Sequence, residues 1–299
     1  GDDRRQRQMC IRDSSKAEIK SFCADNDIRP FVSSQVYSWI WNKSCSSFSD
    51  MSNVSLEDRS KFDKEFFINS LGVDVEEESS DGTIKTKFEL HDGNFVEGVL
   101  IPKNKRMTAC ISSQVGCSLS CSFCATGTLG LTRNLSASEI YQQVVYISKK
   151  CLEVHNQPLT NIVFMGMGEP LLNYKNVLRS IHFITSEEGL NMYYKRITLA
   201  SSGISKMIRK LADDNVKVNL ALSLHAANEE LRKKIMPIGK SNTLEEIRDS
   251  LKYYFSKTKK KVTYEYVLLR DVNDSIEDAY QLYKYTKHLS SKVNIIEYN

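Results

Sequence analysis

Three cysteines, Cys117, Cys121 and Cys124, fall within eight residues, separated by three and then two others. Disulfide pairing has little use for such crowding, whereas a metal centre needs convergent thiolates on one short loop. Iron–sulfur clusters are held by cysteine thiolates, usually four of them. Three from one loop would leave one iron of a four-iron cluster without a protein ligand, open to a substrate or cofactor. Zinc is the competitor, and a structural zinc site takes four ligands, often as two paired knuckles. The chain has no second Cys-X-X-Cys, Cys110 stands seven residues upstream, and the histidines are distant in sequence. The three-plus-two spacing favours the cluster.

The elements around this loop read as alternating strands and helices from Met107 onward. Strands are expected near 107–112, 161–166, 195–200, 216–223, 261–269 and 292–298. Amphipathic helices are expected near 137–153, 174–186, 203–213, 229–235 with 243–256, and 275–289. Ser136 with Glu139 and Thr243 with Glu246 have capping-box spacing, and Ser275 with Asp278 is an acidic equivalent. Such alternation implies right-handed parallel βαβ units, either as an open doubly wound sheet or as a partial barrel.

In both folds ligands gather at the C-terminal ends of strands, and the special residues here fall there repeatedly. The cysteine loop follows the first strand, Gly166-Met167-Gly168-Glu169-Pro170 the second, and Ala200-Ser201-Ser202-Gly203 ends the third. Ser223-Leu224-His225 ends the fourth, Arg270 to Asp274 the fifth, and Tyr298-Asn299 the sixth. Gly166 and Gly168 would allow close backbone approach to a ligand, with Glu169 as a hydrogen-bond acceptor; the plainer alternative is a tight turn. His225 reads equally as a ligand contact and as a core histidine satisfied by backbone.

Upstream, residues 16–71 show helical spacing through Ile19, Phe22 and Cys23, then Val36, Ile40 and Trp41, then Phe62, Phe66 and Phe67. Tyr37, Trp39 and Trp41 either anchor this small helical domain or offer a stacking platform for bases, and the core role is favoured. Residues 72–106 change to period two, with turn chemistry at Asp81-Gly82 and Asp92-Gly93, and read as a connecting β-hairpin carrying Glu97. A strand glutamate alone is an ordinary solvent-facing residue.

The bulk properties are those of an ordinary globular chain of 299 residues, 41% hydrophobic and 26% charged. No apolar run approaches the roughly 20 residues of a membrane span. A net charge of +4 is compatible with nucleic acid without arguing for it. Eight cysteines without a signal-peptide pattern read as reduced thiols in the cytoplasm, with Cys23, Cys45 and Cys151 as packing residues. The chain begins at Gly1 and stops at Asn299 inside an expected strand, so both ends look cut. The stretch Arg7 to Ser14 lacks periodicity and matches the translation of a transposon-end adapter. Residues 1–15 are therefore set aside as an artefact or disordered.

Cys-X-X-X-Cys-X-X-Cys after the first strand, followed by Gly-Glu-Pro after the second, resembles the radical S-adenosylmethionine (SAM) superfamily. The stretches Cys110 to Cys117, Met165 to Asn173, Ser223 to Ala226 and Val272 to Asp274 resemble, more closely, the RlmN/Cfr adenosine methyltransferases, from about residue 20 to the end. That resemblance implies a partial (β/α)6 barrel over residues 107–299, a [4Fe–4S] cluster on Cys117, Cys121 and Cys124, and SAM on the remaining iron. It implies SAM contacts from Gly168, Glu169, Ser223, Leu224, His225 and Asn299. Ala200 stands where relatives have serine, and Ser201 or a water would have to substitute.

The implied substrates are 23S rRNA and tRNA, with a flavodoxin-like reductant and a monomeric enzyme. Adenine C2 is electrophilic, so direct methyl transfer from SAM is unavailable. The family methylates one of its own cysteines, generates a radical there with a second SAM, and adds it to adenine. Glu97 matches the base that removes the adenine proton, and Cys110 the cysteine that resolves the crosslink by disulfide formation. Lys103, Lys105, Arg106 and Arg133 are candidate phosphate contacts near the rim. The methyl-carrying cysteine would lie beyond Asn299, so residues 1–299 are expected to bind cluster and SAM without turning over. Methylation at C8 and a non-catalytic, zinc-stabilised RNA-binding module are the alternatives.

Overall fold

A computed structural model describes residues 8–298. Its first part holds a two-residue strand β1 (Met9–Cys10) and three helices, α1 (Lys16–Asp25), α2 (Pro30–Trp41) and α3 (Leu56–Glu65). β1 pairs in parallel with β2 (Phe66–Phe67). Ser15 and Glu18 cap α1 reciprocally, and Pro30 opens α2 at a position where its missing N–H costs nothing. Setting residues 1–15 aside proves wrong for the stretch after Gln8. Ile11 is fully buried, and the equally buried Arg12 donates to the Cys45 carbonyl at 2.7 Å.

Trp41 is likewise interior rather than a platform for bases. It stacks on Phe183 with ring centroids 3.5 Å apart and planes 9° from parallel. Tyr141 closes the group by donating its hydroxyl to the Trp41 carbonyl. Loss of such a side chain costs about 3–5 kcal/mol, so this contact holds the helical part against the rest of the molecule. Cys23, Cys45 and Cys151 are buried among apolar neighbours.

Nine strands form the central sheet. β3 (Gly72–Glu78), β4 (Ile84–Glu89) and β5 (Phe95–Lys103) make an antiparallel meander, joined by a tight turn at Asn104 to β6 (Arg106–Cys110). The expected two-stranded connecting hairpin is therefore three strands that extend the main sheet. Exposed Gly72–Glu78 lacks the apolar alternation that revealed β4. A short antiparallel pair, β7 (Gln114–Gly116) and β8 (Leu131–Asn134), brackets the cysteine loop.

Six parallel strands follow one another without a break: β6, β9 (Asn161–Phe164), β10 (Ile197–Ser201), β11 (Asn219–Ser223), β12 (Val262–Leu268) and β13 (Ser291–Glu297). Between them run α4 (Ala137–His155), α5 (Tyr174–Thr185), α6 (Ser205–Asp213), α7 (Glu229–Ile235) with α8 (Leu244–Thr258), and α9 (Ile276–Thr286). Ser136–Glu139, Thr243–Glu246 and Ser275–Asp278 all form reciprocal capping boxes. Each crossover steps to the same side of the sheet. A doubly wound sheet reverses direction after its first strand, and this one does not. With right-handed crossovers, all the helices then cover one face, and the other face lines the hollow of a partial (β/α)6 barrel. Among the described residues no helix is long and apolar enough to cross a membrane.

Candidate active site

The register of the sheet sets which side chains face the hollow. Cys110 pairs with Val99 on one side and Val163 on the other, Val163 with Thr198, and Thr198 with Asn219. Because strand side chains alternate, Glu97, two residues from Val99, shares this face. Its neighbours Val96, Gly98 and Leu100 are buried on the helix side, where the Gly98 backbone lies so close to Phe88 and Ile147 that a Cβ would overlap them. Ser112 reaches from the end of β6 to donate to the Glu97 carbonyl at 2.5 Å and accepts from Met167 N–H at 2.9 Å. The Glu97 carboxylate meets Lys85 at 2.9 Å. Burial pushes the Cys110 thiol up to about 11, so it is protonated at neutral pH.

The cysteine loop is held by backbone geometry. Gly116 has φ +76°, and a Cβ there would lie 1.8 Å from the Gly130 carbonyl. Cys117 N–H donates to that same oxygen, Ser122 N–H to Ile235, and Cys124 N–H turns back to Cys121. The three thiols are partly exposed and crowd one another. Burial, then the neighbouring Cys117 and Cys124, push Cys121 up to about 12, and Cys117 is raised chiefly by burial. Beneath them Arg232 is fully buried, its charge felt at Cys121. It donates to the Ser202 carbonyl at 2.6 Å, while its Nε has no partner among the described residues. Protonated thiols give that cation little to neutralise. Thiolates bound to an iron–sulfur group would, so the donor set and the buried cation fit such a group. Among the described residues no three or more His, Cys, Asp and Glu side chains are arranged to hold a single metal ion.

Beside the loop, at the C-terminal ends of β9 to β13, a cavity of about 290 Å³ is lined by Gly168, Glu169, Ala200, Ser223 and His225 among others. Leu224 is fully buried and outside the lining, and Asn299 lies outside the described residues. Glu169 accepts from Ser202 N–H at 2.7 Å and Leu171 N–H at 3.1 Å. Burial raises its carboxyl, and these two donors oppose the rise. The two glycines do allow a close approach, but to the protein's own chain. A Cβ on Gly166 would stand 2.7 Å from Ile111 and Ser112, and one on Gly168, at φ +96°, 2.5 Å from Gln114.

His225 lines the cavity and is also satisfied by backbone. Its Nδ1 accepts from Val267 N–H at 3.1 Å, so the ring is neutral with its proton on Nε2, and the ring edge meets Phe123. Burial first, and then Arg232, lower it to about 3. Its backbone has φ +56°, a strained conformation for this residue. Asn273 holds that turn by donating to the carbonyls of His225 and Val267, both at 2.7 Å.

Gln114 and Glu265 escaped the sequence reading. Gln114 Oε1 accepts from Glu169 N–H at 2.8 Å, which carries the glycine loop on the strand before the cysteines. Glu265 lines the cavity, buried and raised by that burial, and accepts from Asn294 at 2.7 Å. A lone carboxylate inside the apolar strand Val262–Leu268 was the available signal. Three of the four cations expected near the rim are elsewhere, and the fourth is neutralised. Lys103, Lys105 and Arg106 lie at the opposite end, beside the strand starts. Arg133 is held by both oxygens of buried Glu139 at 2.9 Å and by Asp92 at 2.6 Å.

Comparison with known proteins gives two family matches. Residues 111–283 match the radical SAM superfamily, and residues 10–68 match the ribosomal RNA large subunit methyltransferase N-terminal domain. A probable dual-specificity RNA methyltransferase RlmN of Flavobacterium psychrophilum is 53% identical over 97% of this chain and 83% of its own length. The dual-specificity RNA methyltransferase RlmN of Geotalea uraniireducens is 40% identical over 97% of this chain and 82% of its own. A crystal structure of a radical SAM methyltransferase from Sphaerobacter thermophilus superimposes with a TM-score of 0.91 at 37% identity, covering 97% of this chain and 85% of that one.

Proposed function

The chain belongs to the RlmN family of radical SAM RNA methyltransferases, and we propose that it methylates C2 of an adenine in 23S rRNA and in tRNA. The observation that carries this reading is the shared sheet face of Glu97 and Cys110 on adjacent strands. Attack at an electrophilic ring carbon needs a group to take the displaced proton and a group to release the covalent product. These two residue types, side by side on adjacent strands, suit those tasks.

Cys117, Cys121 and Cys124 would hold a [4Fe–4S] cluster, with SAM in the cavity beside it. Bound together, the two supply one-electron cleavage of a carbon–sulfur bond. Gly168 and Glu169 would receive the amino end of SAM, where a buried acceptor suits an ammonium. Ser223 and the neutral His225 would line its adenosyl side without adding charge. Glu97 would take the adenine proton, and Lys85 orients its carboxylate. Cys110 would resolve the crosslink, after losing the proton that burial makes it keep. The protein would act in the cytoplasm as a monomer, with a flavodoxin-type electron donor.

The test is anaerobic incubation of the full-length protein with cluster, SAM, reductant and separate rRNA and tRNA transcripts, followed by mass spectrometry of the digests. 2-Methyladenosine in both is expected. 8-Methyladenosine would move the reaction to the other ring carbon, and a colourless protein that binds only zinc would remove the enzymatic reading.

A further inference from the structure

The end of the barrel away from the cysteine loop carries a second cavity, of about 750 Å³, lined by Lys103, Lys105, Arg106, Lys195 and Arg196. None of these five forms an ion pair among the described residues. This differs from the other end, where Arg133 is fully neutralised by Glu139 and Asp92. Beside the cavity, Lys260 donates to the carbonyls of Val216, Lys217 and Val218 at the start of the neighbouring strand. Burial first, and then the like charges of Lys217 and Lys195, lower it to about 8. Uncompensated cations that repel one another around a concave space are the electrostatic mark of a missing polyanion.

Two further features say which one. The cavity wall includes Thr198 and Asn219, members of the same cross-strand row as Cys110, so it shares a sheet face with the reacting residues. Exposed Tyr193 stands in the same wall, with Lys195 over its ring, and offers a face on which a base can stack. We infer that this cavity seats the phosphodiester backbone of the RNA substrate through Lys103, Lys105, Arg106, Lys195 and Arg196. The inference rests on the RNA methyltransferase reading above. An acidic redox protein has the same charge, but it must deliver electrons to the cysteine loop at the far end.

The test is RNA binding rather than turnover. Full-length protein is titrated against a labelled RNA stem–loop by fluorescence anisotropy across a range of KCl concentrations. Lys105→Ala with Arg106→Ala, and Lys195→Ala with Arg196→Ala, are compared with Lys20→Ala with Lys64→Ala on the helical part. The carbonyls of Lys195 and Arg196 accept from Asn219 and Asn161, and truncating the side chains leaves those bonds in place. Each cavity pair is expected to weaken binding by about tenfold and to lower the salt slope by about 1–2, as loss of one or two phosphate contacts does. Melting temperature and SAM binding stay at wild-type values, and the control pair changes affinity by less than about threefold. Wild-type binding with both cavity pairs unchanged overturns this inference alone. Loss of flavodoxin binding with RNA affinity intact also overturns it, by assigning the cavity to the reductant. A wild-type protein that binds no RNA overturns the RNA reading itself.

Discussion

Glu97 and Cys110 project from one face of adjacent antiparallel strands, offset by two residues, because Cys110 is the direct partner of Val99. The carboxylate is paired with Lys85 and the thiol is kept protonated by burial. Glu97→Gln and Cys110→Ala should each lower methylated product by a factor of about 100 or more, the range lost with a positioned acid–base group. They should differ in what accumulates. Cys110→Ala is expected to leave protein–RNA adducts visible on a denaturing gel, because addition precedes the step it blocks. Equal and unimpaired turnover by both variants would contradict the assignment.

Gly168 combines a left-handed backbone, φ +96°, with Gln114 only 2.5 Å from where a Cβ would sit. Gly168→Ala should therefore destabilise the protein by about 1–3 kcal/mol, from backbone strain together with overpacking. It should also displace the N–H of Glu169 from Gln114. Urea unfolding measures the first effect, and SAM titration by calorimetry the second. Adding Gln114→Ser should recover only part of the loss, since it removes the overlap and leaves the strain.

Ala200 puts a methyl group on the cavity wall, at the position where the family resemblance implies serine. Ser201 does not replace it freely, because its hydroxyl accepts from Gly203 N–H at 3.1 Å. Ala200→Ser restores a donor that faces the cavity, and a net hydrogen bond contributes about 0.5–1.5 kcal/mol. SAM affinity, read by calorimetry on cluster-loaded protein, should rise by about 2–10-fold. Unchanged or weaker binding would show that another group already fills that role.

His225 supplies a pH dependence with a definite sign. Its folded value, about 3, lies below its ordinary 6.5, so unfolded chains bind a proton that the native state refuses. Its contribution to stability is complete above pH 6.5 and is lost as pH falls from 6.5 toward 3. The full shift corresponds to about 5 kcal/mol. His225→Gln, which keeps an acceptor for Val267 N–H, should flatten urea-midpoint-versus-pH curves across that window. A variant curve parallel to wild type would place the acid sensitivity elsewhere.

Much of this protein was legible in its residues, because the responsible signals are local. Capping boxes and apolar periodicity placed the helices, turn residues bounded β4, and cysteine spacing marked the loop that β7 and β8 bracket. Such features depend on residues within a turn or two of one another, and sequence order records them directly. The same locality misled at the start of the helical part, since Ile11 shows what it is only against long-range partners. Periodicity left the barrel and the doubly wound sheet equally open, and strand order, which depends on the direction of each crossover, decided between them. Only pairing register could bring Glu97 onto the face of Cys110 and turn the glycines of the Gly-X-Gly-Glu loop toward their own chain. The unpaired cations at the strand starts belong to segments far apart in sequence, and only their convergence makes a charge pattern. The types of chemistry available were written in the residues; which of them meet was decided by folding, because contact between distant segments is a property of the whole sheet.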